Sequence, residues 1–182
     1  MKTTSVRNLT LAAILAAVYA ALTLLLPIPQ YGPVQVRFAE ALTVLPFFFP
    51  AATPGLFLGC IIANLSSPYV LDVFFGSAAT LLACLWTGRL NNRWLAPLPP
   101  VICNALIVGW EIAFSLTGLG FPSWPGFDSA FWPAFALNAF TVGVGELLAC
   151  GVLGSILLSA LYRSEVCRAM IAPARLGRIR GF

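Results

Sequence analysis

The chain has 182 residues, of which 60% are hydrophobic and only 9% charged, with a mean hydropathy of +0.93. That composition excludes an ordinary soluble domain and points to an all-α integral membrane protein of one domain. The formal charge of +4 does not indicate nucleic acid. Nine of the ten basic residues (Lys2, Arg7, Arg89, Arg93, Arg163, Arg168, Arg175, Arg178 and Arg180) lie beside ends of apolar runs that should face one side.

By the positive-inside rule, this distribution predicts six transmembrane helices with both termini in the cytoplasm. Residues 1–162 form the membrane domain and 163–182 a basic cytoplasmic tail, whose partner is anionic lipid headgroups. The first helix covers about Asn8 to Leu26. Its apolar run, Leu9 to Leu26, spans 18 residues and is longer than a signal-peptide core, so it is expected to be retained. Ala12, Ala16 and Ala20, spaced by four, make a small-residue stripe for close helix packing, either within the fold or against a partner.

Pro27, Pro29 and Pro33 stop this helix. The stretch from Tyr31 to Pro54 that follows sets Arg37 and Glu40 between long apolar runs, where charge is costly unless it has a use. It is expected to be a lid or wall over a binding site. Helix 2, about Phe38 to Phe49, and helix 3, about Thr53 to Leu65, are short and proline-broken. At ~1.5 Å per residue helix 2 falls short of a ~30 Å hydrocarbon core and helix 3 is similarly short, so the two are expected to cross as tilted, partly shielded helices or to form a re-entrant hairpin.

Helix 4, about Leu71 to Thr87, runs inward, and helix 5, about Pro100 to Thr117, runs outward. Gly118 to Ser129 forms an external loop in which Trp124, with the nearby Trp132, suits the interface and Asp128 is a solvated turn residue. Helix 6, about Ala130 to Tyr162, returns to the cytoplasm.

The polar residues at membrane depth are Arg37, Glu40, Asn64, Asp72, Asn104, Glu111, Asn138 and Glu146. Asn104 and Glu111 are seven apart and share a face of helix 5, beside Trp110. Asn138 and Glu146 on helix 6 are offset by only about 80°. An outward-opening polar pocket with an aromatic wall follows, suited to a flat hydrogen-bonding heterocycle. The asparagines could instead bridge helices, Asp72 could cap helix 4, and Arg37 with Glu40 could be an internal i,i+3 pair. Glu111 and Glu146 have no basic neighbour in sequence, and a central carboxylate costs about 2.5–3.5 kcal/mol on insertion scales, so they are the leading ligand-binding candidates.

The scattered cysteines, with no CxxC pair and no histidine, encode neither a zinc site nor a disulfide framework and read as buried small hydrophobes. No GxxxxGK[ST] motif is present, and a Ser-His-Asp or HExxH centre is impossible. Gly143-Val144-Gly145 lies within a helix and is a packing feature. No cofactor and no enzymatic activity are expected.

Four blocks carry a family resemblance: VQVRFAEALTVLP from Val34 to Pro46, LDVFFGSAATLL from Leu71 to Leu82, Asn104-Ala-Leu-Ile-Val-Gly with Glu111, and Val144-Gly-Glu146. Together they resemble the QueT family of membrane proteins, from the first helix to about Tyr162. The resemblance implies a substrate-binding S component of an energy-coupling factor (ECF) transporter in the cell membrane, taking up a queuosine precursor, a deazaguanine base. Its implied partners are a transmembrane coupling protein and ATP-binding subunits, with Ala12, Ala16 and Ala20 as the interface. It further implies that Glu111 or Glu146 binds the base, that Asn104 and Asn138 read its carbonyl edge, that Trp110 stacks and that Arg37 with Glu40 closes the loop, with Asn64 and Asp72 nearby. The alternative is a self-sufficient proton-coupled secondary transporter of a small heterocyclic nutrient.

Overall fold

A computed structural model describes residues 2–26, 36–117 and 130–181. The prolines Pro27, Pro29 and Pro33, the start of the first family block at Val34 and Gln35, and the loop with Trp124 and Asp128 lie outside the described residues. Among the described residues the chain is helical, without named strands.

The first helix, α1 (Lys2–Leu25), is followed by a ten-residue 3₁₀ segment, Phe38–Phe47. The sequence leads to a short, proline-broken helix over Phe38 to Phe49, and the structure shows how it is broken. The tighter 3₁₀ winding, uncommon at this length, rises ~2.0 Å per residue and so carries ten residues about 20 Å. Pro46 lies inside it and Pro50 opens a further 3₁₀ turn, Pro50–Ala52. Helix α2 (Thr53–Asn64) follows, with proline in its first turn, where the missing amide costs nothing.

The predicted fourth helix divides into a 3₁₀ turn, Val70–Val73, and α3 (Phe75–Thr87). Helix α4 (Leu98–Leu116) starts on Pro99 and Pro100, two residues before the expected boundary. The last long element is α5 (Phe131–Glu146), which widens into a π-helical stretch, Leu147–Gly154, and continues as α6 (Ser155–Arg163).

Four stretches are long and apolar enough to cross a membrane: Val6–Leu25, Val70–Thr87, Arg93–Leu116 and Phe131–Arg163. Phe38–Phe47 and Pro50–Asn64 are shorter apolar helices. Leu58, Ile62, Leu106, Leu137, Phe140 and Ile156 all stand exposed on the outside, which is favourable in lipid and costly in water.

Glycines set the closest helix contacts. A Cβ on Gly59 would lie 2.7 Å from the Ala16 carbonyl oxygen, and one on Gly55 would collide with the backbone of Ala12. The alanine stripe is therefore taken up in packing α1 on α2, with Ala12 and Ala20 buried. The outward small-residue face is the adjacent one, Ala13, Ala17 and Ala21. On the other side, Gly109 packs on Ala139 and Gly143 on Ala105, which fixes α4 and α5 as antiparallel neighbours in a single register.

Residues 163–182, expected as a basic tail, form α7 (Glu165–Met170) and α8 (Pro173–Leu176) and fold back on the bundle. Ile171 is buried in a cluster with Val44, Phe47 and Leu158. Arg175 donates from Nε to the Phe47 carbonyl and from Nη2 to the Leu90 carbonyl, each at 2.7 Å. It thereby satisfies backbone acceptors at the end of the 3₁₀ segment and just beyond α3.

Candidate functional site

The site begins at Arg37, held in extended backbone immediately before the 3₁₀ segment. Winding then brings Glu40 onto the same side. Arg37 is 6% and Glu40 1% exposed, so neither charge is solvated. Arg37 Nη2 donates to Asp72 Oδ2 at 3.3 Å, and its Nη1 lies 3.9 Å from Glu40 Oε1. Asp72, for which helix capping was one reading, thus spends a carboxylate oxygen on a guanidinium.

Glu40 is braced from two further helices. Tyr19 of α1 donates its hydroxyl to Glu40 Oε1, and Thr80 of α3 donates to the same oxygen at 3.3 Å. Asn64, at the end of α2, donates to the Asp72 carbonyl at 2.9 Å and to the Ser77 hydroxyl at 3.3 Å. Four elements are thereby tied to one point.

The column continues in both directions along α4 and α5. Asn104 and Glu146 both face the Glu40 side of the cluster, while the Asn104 amide nitrogen closes no hydrogen bond. The Cys150 thiol links the two acidic residues, lying 3.1 Å from the Glu40 carbonyl oxygen and 3.3 Å from Glu146 Oε2. At the other end Glu111, fully buried, faces Asp72 and accepts one bond, from Ser115 at 3.2 Å. The register of Gly109 on Ala139 places Asn138 at the height of Trp110 and Glu111. Its Nδ2 donates to its own helix at Ala134, 2.7 Å away. The column therefore has two levels, one at Asn104 and Glu146 and one at Glu111 and Asn138, about 10 Å apart by helical rise.

An aromatic wall flanks the second level. Trp110 stacks on Phe114 at 5.3 Å between centroids, and meets Phe75 at 5.6 Å and Phe131 edge-on at 6.3 Å. Half-buried Trp110 offers ring surface beside Glu111.

Six buried side-chain atoms among the described residues lack a hydrogen-bond partner: Glu40 Oε2, Asn64 Oδ1, Asp72 Oδ1, Asn104 Nδ2, Glu111 Oε2 and Asn138 Oδ1. Every one belongs to a residue expected at the site. Buried polar atoms are ordinarily paired, so their concentration in one column marks a place built for something that supplies the partners. Five are acceptors and one is a donor, which selects a ligand that mostly donates.

Tyr19, Thr80, Ser77 and Cys150 are hydrogen-bonding neighbours of the candidate site that sequence reasoning did not single out. Tyr19 carried a usable signal, since it shares a face with Leu15 and Thr23, and Thr23 donates back to the Tyr19 carbonyl at 3.0 Å. The cysteines, expected to be plain small hydrophobes, act here as weak polar partners; Cys60 is 3.3 Å from both Thr80 Oγ1 and Asn64 Nδ2. Among the described residues no group of three His, Cys, Asp or Glu side chains is placed to hold a metal ion.

Residues 9–163 match the model of the QueT transporter family. A curated relative from Lactococcus lactis subsp. cremoris (strain MG1363), named queuosine precursor transporter QueT, is 34% identical over 110 residues. That match covers 52% of this chain and 65% of the relative, short of two thirds of its length. No solved structure matches.

Proposed function

Because the chain belongs to the QueT transporter family, we propose that it is the membrane-embedded subunit that binds a queuosine precursor for uptake across the cell membrane. The name of the Lactococcus relative supports the substrate class. The observation that carries the reading is the column of unpartnered acceptors beside a tryptophan. A deazaguanine base presents a ring N–H and an exocyclic amine side by side, and one carboxylate can accept both in bidentate fashion. Glu111 takes that role, with Trp110 stacked on the ring and Asn138 at the same level. Asn104, whose Nδ2 is the one buried side-chain donor without a partner among the described residues, reads a carbonyl. Arg37, Glu40, Asp72 and Asn64 hold the frame in which these groups are fixed.

In this reading the energy comes from a separate ECF ATPase module, as the resemblance to S components implies, and the lack of a phosphate-binding loop in this chain is compatible with it. Six membrane-embedded helical segments with cytoplasmic termini complete this reading, the two short ones lying shielded between the four long ones. The outward face of α1 at Ala13, Ala17 and Ala21 is flat enough for a coupling helix to approach closely.

Calorimetry on the purified chain in detergent tests the binding step. Precursor bases should bind in the micromolar range or tighter, and guanine-like rings lacking the exocyclic amine should bind far more weakly. No binding of any deazaguanine would overturn the substrate assignment. Reconstituted uptake that proceeds without an ATPase module, driven by a proton gradient, would overturn the energy source in favour of a secondary transporter.

A further inference from the structure

The segment after α8 is pinned to the loop between α3 and α4. The Arg180 N–H donates to the Asn91 carbonyl at 2.8 Å, and the Arg93 N–H donates to the Arg180 carbonyl at 3.1 Å. Gly181, at φ +97°, packs so closely that a Cβ there would lie 3.0 Å from Arg93 Cγ. Ile179 packs against the buried cluster around Ile171, while Arg178 and Arg180 on either side of it stand exposed. The two arginines line one cleft of about 550 Å³ together with Asn91, Asn92, Leu95 and Gly177. From Arg163 onward there are five arginines and one acidic residue, Glu165, and neither the Arg178 nor the Arg180 guanidinium has a carboxylate or carbonyl partner among the described residues. Arg175 is lowered from its ordinary range by its own burial and then by the Arg178 charge, so like charges are already crowded there.

The acceptors at this rim are in use. The Asn91 and Arg180 carbonyls take the bonds just given, and Asn92 Oδ1 accepts from the Trp94 N–H at 3.1 Å. The groups left over are donors, two guanidiniums and the Asn92 amide NH2, which suit an anion rich in acceptor oxygens. Trp94 is exposed with the Arg93 guanidinium 4.2 Å over its ring, a pairing that suits the headgroup level of a membrane. Below it Leu95, Leu98, Ile102 and Leu106 stand exposed at spacings of three and four, an apolar track on one face of the stretch Arg93–Leu116 that is long enough to span. We propose that the cleft is a discrete seat for one anionic phospholipid, its phosphodiester between Arg178 and Arg180 and an acyl chain along that track. Charge alone gives a basic segment a diffuse attraction to headgroups; here the pinned backbone holds two guanidiniums at one place. The seat lies apart from the buried column, and it requires only that the chain be embedded in a membrane, whichever way its termini face. By neutralising Arg178, the lipid also relieves the charge that bears on Arg175, whose guanidinium holds the Phe47 and Leu90 carbonyls.

Native mass spectrometry of the full chain in detergent, titrated with phosphatidylglycerol or with phosphatidylcholine of the same acyl chains, tests the seat. The first phosphatidylglycerol should bind at least about tenfold more tightly than phosphatidylcholine. Arg178→Gln with Arg180→Gln should abolish that preference, and unchanged binding of phosphatidylcholine shows that the variant is folded; each single variant should lose part of it. Arg163→Gln with Arg168→Gln removes the same charge outside the cleft and should keep the preference. No preference in the unaltered protein would overturn the proposal. Equal losses in the two double variants would replace the seat by diffuse attraction and overturn it as well. Soluble glycerol 3-phosphate that displaces the lipid at an equal concentration would make the occupant a free anion and overturn the lipid assignment.

Discussion

Glu40 and Glu111 are carboxylates equally shut off from the surface, at 1% and 0% exposure, and they are served very differently. One oxygen of Glu40 takes hydroxyls from α1 and α3 and faces a guanidinium. Glu111 receives one serine hydroxyl, from its own helix one turn on. A carboxylate braced from several elements holds those elements together. Each keeps one unpartnered oxygen, but Glu111 stands beside a tryptophan and is tied only to its own helix, so its removal would loosen no other element. The same residue type at similar depth is thus held in two different ways, and the supply of donors tells them apart.

The sharpest break in that contrast is expected at Arg37. Arg37→Ala strands Asp72 and Glu40 without their cation and should destabilise the fold by about 3–5 kcal/mol, read as a lowered unfolding midpoint in detergent. Next comes Glu111→Gln. It should leave thermal stability within about 0.5 kcal/mol while weakening precursor affinity by roughly 1.5–3 kcal/mol, the worth of a charge-assisted hydrogen bond; a large stability loss instead would make Glu111 a structural brace like Glu40. Tyr19→Phe removes one of the Glu40 donors and should cost about 1–2 kcal/mol of stability, smaller than Arg37→Ala because Thr80 remains. The least effect is expected from Ser115→Ala, about 0.5–1 kcal/mol. If Ser115→Ala proved as damaging as Tyr19→Phe in the same melting experiment, the two carboxylates would not differ in kind.

The long helices were legible because apolar runs ended by Pro27, Arg89 or Arg163 read directly as spans, and eight of the nine residues expected at the site came from one criterion, polarity at membrane depth, with Trp110 added as the aromatic neighbour of that face. Eight of them are buried, with Trp110 half-buried beside them. Three things were not legible. The face of α1 that turns inward could not be read from spacing, because Ala12-Ala16-Ala20 and Ala13-Ala17-Ala21 are the same pattern one residue apart; Gly55 and Gly59 on the opposing helix decide it. The hydroxyl partner Thr80 gave no signal and Tyr19 only the weak one of its face, because a hydroxyl that can bond within its own helix stands out far less in an apolar run than a charge does. The 3₁₀ winding of Phe38–Phe47 and the π winding of Leu147–Gly154 are differences in backbone hydrogen-bond register, to which hydropathy is blind.

That π winding has a consequence for how this chain can vary in length. A π turn closes its hydrogen bonds one residue later than an α turn, so Leu147–Gly154 stores a surplus residue between Glu146 above and Tyr162 below. Loss of one residue from this stretch would let it rewind as ordinary α-helix with both flanks still facing their present neighbours. The same loss within α5, between Asn138 and Glu146, would turn the two by about 100° relative to each other and carry one of them out of the column. Homologous chains are therefore expected to gain or lose a residue after the glutamate and to keep the eight-residue interval before it.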